Sequence, residues 1–110
     1  MADDATEVTR AAARDRYEIT VDDQLAGFTA YVDRGGQRIF YHTEIGEDFG
    51  GRGLGSRLIG GAVADTRSAG LRIVPVCPFV KSYVEKHSEV DDVVDAVTPD
   101  ALAAVPEQSG

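Results

Sequence analysis

A chain of 110 residues, 43% apolar and 27% charged, is long enough for one domain with its own core and too short for two. Nineteen acidic against eleven basic residues leave a formal net charge of −8, which repels phosphate backbones and, with no basic stripe to offset it, excludes nucleic acid as a partner. The single cysteine, Cys77, and the two histidines, His42 and His87, exclude an intrachain disulfide and a Cys-rich zinc site.

No run approaches the roughly 18 apolar residues of a membrane span. The acidic opening "MADDATEVTRAAARDR" lacks the basic patch and apolar core of a signal peptide. A cytoplasmic protein with no membrane partner is expected. Residues 1–14 are small and charged without periodicity, and a flexible N-terminal tail is expected there, with the folded domain over 15–97. "RYEITVD" (16–22) alternates, with Tyr17, Ile19 and Val21 on one face, and predicts a half-buried strand. "QLAGFTAYVD" (24–33) predicts a second, with Leu25, Phe28 or Ala30, and Val32 inward. "QRIFYHTEI" (37–45) predicts a third, with Ile39, Tyr41, Thr43 and Ile45 on one face and Phe40, His42 and Glu44 on the other. The junctions Asp22-Asp23 and "RGG" (34–36) are tight-turn sequences, so the three strands form an antiparallel meander.

After a glycine-rich stretch, Leu54, Leu58, Ile59, Ala62 and Val63 recur at helical spacing, and Gly70 is a C-terminal stop. Gly60 and Gly61 lie mid-helix and point to close packing on the sheet. "LRIVPV" (71–76) is a buried strand, placed by the intervening helix to pair parallel with the third. Pro75 removes a ladder donor near its end and favours a bulge or a splayed edge. "PFVKSYVEKHSE" (78–89) is a second helix with Pro78 at its first position, "VDDVVDAV" (90–97) a last short strand, and 98–110 a helical turn or C-terminal tail. The fold class is α/β, a mixed sheet whose antiparallel meander is followed by helix, parallel strand and helix.

The stretch "FGGRGLGSRL" (49–58) stands between strand and helix. Such a loop aims backbone N–H groups at one spot on the positive end of a helix dipole, a seat for phosphate. A Walker A loop is disfavoured, because Ser56-Arg57 stand where Lys and Ser/Thr are required. A dinucleotide fingerprint started from Gly51 and Gly53 needs glycine at 56, which is Ser56, and the strands before it form a meander.

The stretch "GGRGLGSRL" resembles motif A of the GNAT (Gcn5-related) N-acetyltransferase superfamily, [QR]-x-x-G-x-[GA]. Gly53 and Gly55 match its last two positions; Gly50 stands where the family has Gln or Arg, and Arg52 lies two residues on. With "HTEI" before it and "VPVCPFVKSYVEKH" after it, the likeness covers roughly 16–95 and is to the small, stripped-down members of that superfamily. It implies acetyl-CoA or CoA as cofactor, with Gly50, Gly51, Arg52, Gly53, Leu54, Gly55 and Ser56 around its pyrophosphate. It further implies that the pantetheine arm lies along Thr43, Glu44 and Ile45, the Ile45 N–H facing the thioester oxygen. Tyr83 in "SYVEKH" resembles the tyrosine that protonates the leaving thiolate.

Acetyl transfer to an amine needs a base, an oxyanion donor and an acid. Glu44, at the end of the third strand, is a candidate base or a solvated carboxylate; His42 shares its face and is a candidate base or a packed histidine. Cys77, between the buried strand and Pro78, stands at a helix N-terminus that favours thiolate. It is a candidate nucleophile, a neighbour of the cofactor thiol, or a small buried hydrophobe. Lys81, Lys86 and Arg57 either meet cofactor phosphates or are solvated. The expected activity is acetyl-CoA-dependent N-acetylation of a small-molecule or protein amine, the acidic charge favouring a cationic acceptor. The alternatives are a non-catalytic CoA- or acyl-CoA-binding module and an interaction domain whose glycines only turn the chain.

Overall fold

The computed structural model describes residues 6–46 and 53–106. Five strands form one sheet in the order of the chain: β1 (Thr6–Ala11), β2 (Arg16–Val21), β3 (Gln24–Arg34), β4 (Gln37–Ile45) and β5 (Arg72–Pro75). The first four are antiparallel neighbours, and β5 pairs parallel with β4 from Gln37↔Arg72 to Phe40↔Pro75. Helices α1 (Leu54–Ser68) and α2 (Pro78–Lys86) cover one face, burying Leu58, Ile59, Val63, Val80 and Val84 against Tyr17, Ile19, Phe40 and Ile73. The short α3 (Pro99–Ala104) covers part of the other, where Ala101 closes on Ile39 and Val74. Apolar positions at 54, 58, 59, 62 and 63 give α1 its buried stripe, and Gly70 ends it at φ +78°.

The meander, the helix and the parallel fifth strand stand where the sequence places them, and two segments differ. Residues 6–11, expected in a tail, form β1, paired from Thr6↔Val21 to Ala11↔Arg16. Val8 is the only large apolar side chain of β1, too little for a periodic signal. It seats on Gly61 of α1, where a β-carbon would come within 2.9 Å of a Val8 methyl. Residues 88–97 form a 3₁₀ turn, Ser88–Val93, and a single parallel bridge from Val94 to Ile73 rather than a strand. Two bulges also move side chains between faces. One opposite Ile19/Thr20 leaves Leu25 exposed and brings Ala26 and Tyr31 into the core under the helices. The other shifts the β3–β4 register so that Ala30 faces His42 while Tyr31 faces Phe40, with Tyr41 as the extra residue. Phe40 and Ile45 therefore pack on the same core, although strict alternation would separate them.

Arg38 is 2% exposed and joins four elements. It donates to both Asp33 carboxylate oxygens at 2.7 and 2.9 Å and to the Tyr17 hydroxyl at 2.7 Å, and its guanidinium lies 4.4 Å from the Tyr31 ring centroid. The Tyr17 hydroxyl donates onward to Asp65 of α1 at 2.6 Å. Burial first, then the Asp65 carboxylate, push the Tyr17 phenol up to about 12, and the Asp33 contact holds Arg38 above its ordinary value. Tyr17→Phe leaves a buried guanidinium N–H without its acceptor; a loss of about 1–3 kcal/mol is expected in urea unfolding.

The edge of β5 is closed by Asp95, whose N–H donates to Ile73 at 2.8 Å and whose carboxylate accepts from Gln37 and Arg72 at 2.8 and 2.7 Å. The Gln37 hydrogen bond and then Arg72 hold its carboxyl below the usual value. A depressed carboxylate stabilises the fold above its unfolded pKa of about 3.9, and that contribution fades as pH falls through the lower folded value. Asp95→Asn is therefore less stable than wild type at pH 7, and the two unfolding curves converge in acid, once pH has fallen through the depressed folded value.

Candidate active site

The parallel pairing of β4 with β5 stops early. Its last hydrogen bond runs from Cys77 N–H to Phe40 O at 2.9 Å, after which the chain turns into α2. Tyr41 to Ile45 continue along β3 alone. Gly46 N–H donates to Ala26 O at 2.7 Å, and the antiparallel alternation from that pair directs Glu44 and His42 toward β3. The N–H groups of Thr43 and Ile45 face the other way, onto the free edge. The result is a notch between β4 and the start of α2.

Two other elements converge there. Thr43 lies across the notch from Cys77, whose Sγ donates to Thr43 Oγ1 at 3.3 Å. Thr43 Oγ1 is in turn 2.9 Å from Oγ1 of the fully buried Thr29. Cys77 is the N-cap of α2 and 5% exposed. The start of α1 is tied to the same place, because the Phe79 ring of α2 packs directly over Gly55. That ring is 42% exposed on its outer side.

Among the described residues the N-terminus of α1 is open. Gly53, its N-cap, has φ +70°, no side chain caps it, and its missing β-carbon faces empty space. The first helical bond is Arg57 N–H to Gly53 O at 3.3 Å, so the amides of Leu54, Gly55 and Ser56 precede the ladder. Donors aimed outward at the positive end of a fifteen-residue helix suit an anion. The pyrophosphate of CoA fits such a backbone cradle, which a side chain at 53 would fill. Gly50, Gly51 and Arg52, expected at the same cradle, lie outside the described residues.

His42 and Glu44 meet on the opposite face of β4, with Nε2 2.7 Å from Oε2 and both side chains open to solvent. The Phe28 ring lies 5.9 Å from the imidazole and carries the Arg16 guanidinium at 4.4 Å. Two chemical environments thus flank one strand: Thr43 and Cys77 on the helix side, and an acid–base pair on the other. Tyr83 stands apart from both. Its ring stacks on His87 at 4.0 Å and its hydroxyl lies against Gly60 of α1, with no hydrogen bond to Thr43 or Cys77. Thr29 and Phe79 were not singled out in the sequence. A threonine in a strand and a phenylalanine after a helix-starting proline carry no signal until the elements that meet them are placed.

The sequence model of GCN5-related N-acetyl-transferases matches residues 16–93. The solution structure of a GCN5-like protein from Staphylococcus aureus is similar, with a TM-score of 0.64 and 23% identity over 84% of this chain and 91% of that one. No curated protein matches the chain. The chain belongs to the GCN5-related N-acetyltransferase family. It is a transferase, and acetyl transfer is the class of reaction that membership assigns to it.

Two glycines of the loop carry separate burdens. Gly53 leaves the amides open, whereas Gly55 makes room for Phe79. Gly55→Ala is expected to lose about 1–3 kcal/mol by overpacking. Adding Phe79→Leu should recover part of it, and a double-mutant cycle in urea measures that coupling.

Proposed function

We propose that the protein transfers an acetyl group from acetyl-CoA to an amine, a small molecule or a protein lysine, without a covalent acyl-enzyme. The observation that carries this reading is the notch: an open helix N-terminus, Gly53 to Ser56, next to the unpaired edge of β4. Bound acetyl-CoA supplies an activated acyl group as a thioester. The amides of Leu54, Gly55 and Ser56 hold its pyrophosphate, and the N–H groups of Thr43 and Ile45 are left for the acyl arm. The Ile45 N–H is the donor for the acyl oxygen. Those edge amides have no partner in β5, so a ligand that pairs with them completes the ladder.

Glu44, paired with His42 at 2.7 Å, accepts the proton of the incoming ammonium. The C–N bond forms, the C–S bond breaks, and the proton lost by the amine is matched by one gained by the thiol. Cys77 walls the notch: its sulfur is nearly buried and its hydrogen is engaged by Thr43. The exposed acid–base pair favours an enzyme over the alternative of a binding module, which has no use for it.

The test is calorimetric titration with acetyl-CoA and CoA, followed by an amine-acceptor panel. Wild type is expected to bind both, and Gly53→Asp neither, since bulk and negative charge then occupy the cradle. Glu44→Gln should bind as wild type and lose about 10²- to 10⁴-fold in transfer. Wild type that binds neither ligand removes the cofactor reading. Binding without transfer to any amine leaves the non-catalytic module, and an acetyl adduct on Cys77 replaces direct transfer with a covalent route.

A further inference from the structure

Helix α2 separates two grooves of opposite character. One, of about 570 Å³, has Glu85, Asp91, Asp95 and Lys81 around an apolar floor that includes Val84 and Val94. The other, of about 480 Å³, opens between Ser56 of α1 and the face of α2 that carries Phe79, Ser82, Tyr83 and Lys86, with His87 at its end. Among the described residues no carboxylate lines this second groove, and Glu89 meets it only through His87, 3.3 Å away at its end. The chain has two lysines, both on α2, and the helical spacing sends Lys81 to the acidic groove and Lys86 to the other.

The second groove combines three features. It begins at Ser56, one of the amides at the open end of α1. One wall is the half-exposed Phe79 ring, flanked by the Tyr83–His87 stack. Lys86 is exposed, and no ion pair engages it among the described residues. An aromatic wall suits the π-face of a base, and an ammonium with hydroxyls beside it suits a phosphate. The ligand chemistry is therefore that of a phosphorylated nucleoside running on from a pyrophosphate.

We propose that this groove seats the nucleotide end of CoA, with the base against Phe79 and the 3′-phosphate at Lys86, so that the protein selects CoA over its 3′-dephospho form. The inference rests on the cofactor reading above and adds a selectivity that reading does not require: a cradle that held only the pyrophosphate would bind both forms alike.

Calorimetric titration of wild type, Lys86→Gln and Lys81→Gln with CoA and with 3′-dephospho-CoA tests it. Wild type should bind CoA about tenfold more tightly than the dephospho form. Lys86→Gln should weaken CoA by about two- to fivefold, the range of an exposed ion pair, and leave dephospho-CoA unchanged. Lys81→Gln, on the other side of the helix, should change neither. Equal affinity of wild type for both forms, or equal weakening of both by Lys86→Gln, overturns the groove assignment and leaves the cofactor reading standing. Failure of wild type to bind either form overturns the cofactor reading, and the assignment falls with it.

Discussion

The structure turns on the place where β4 and β5 stop pairing. Pro75 has no N–H to give, the last ladder bond is made by Cys77 to Phe40, and the chain leaves the sheet into α2. At the same level the Tyr41 bulge reverses the faces of β4. From these two local breaks follow the free edge amides of Thr43 and Ile45, the seat of Cys77 against Thr43, and the solvent exposure of His42 with Glu44 on the far side. A regular parallel pair carried to Ile45 would have satisfied every amide and left no opening.

A notch of this kind needs rigid walls, and α1 is held at both ends. Near its C-terminal half, Asp65 and Thr66 meet the Tyr17 hydroxyl, which also accepts from Arg38. At its first turn, the Phe79 ring sits on Gly55, and further along Val8 sits on Gly61. The helix that presents its amides to the notch is thus positioned by contacts with β1, β2, β4 and α2, while among the described residues no partner takes the amides of its first turn. Close packing at Gly55 and, among the described residues, open space at Gly53 give two glycines of one loop different surroundings.

A net charge of −8 opposes the anionic cofactor proposed above, and in that reading the conflict is resolved locally. Glu85, Asp91 and Asp95 gather with Lys81 on one side of α2, while Glu89 meets His87 at the end of the other. Among the described residues, the groove that begins at the α1 N-terminus is lined by Lys86 and by no carboxylate. Helix dipole and ammonium act over a few ångströms at the site, whereas the remote acids are screened beyond about 8–10 Å in physiological salt. In the proposed reaction the global charge bears on the other substrate, where it favours a cationic amine.

The order of the elements was written in the chain. Alternation in 16–22, the apolar stripe from Leu54 to Val63, Pro78 at a helix start and Gly70 at a helix end are local signals, and each stands where local physics puts it. The motif "GGRGLGSRL" likewise marked the helix N-terminus and the family, because a cradle of backbone amides depends on glycines close together in sequence. What the chain did not show are properties of pairing. β1 exists because Val8 finds Gly61, and the residues around Val8 carry no periodicity of their own. The face of each β4 side chain depends on the register with β3, so alternation alone misassigned Phe40 and Ile45. Tyr83, placed near the chemistry by likeness, lines the groove between α1 and α2 and stacks on His87, because α2 packs that face on Gly60. The sequence by itself determined the three-strand meander, α1, β5, α2 and their order, since each rests on neighbours a few residues apart. Only the tertiary structure decided which groups share the notch and which groove each lysine faces, because these depend on contacts between residues tens of positions apart.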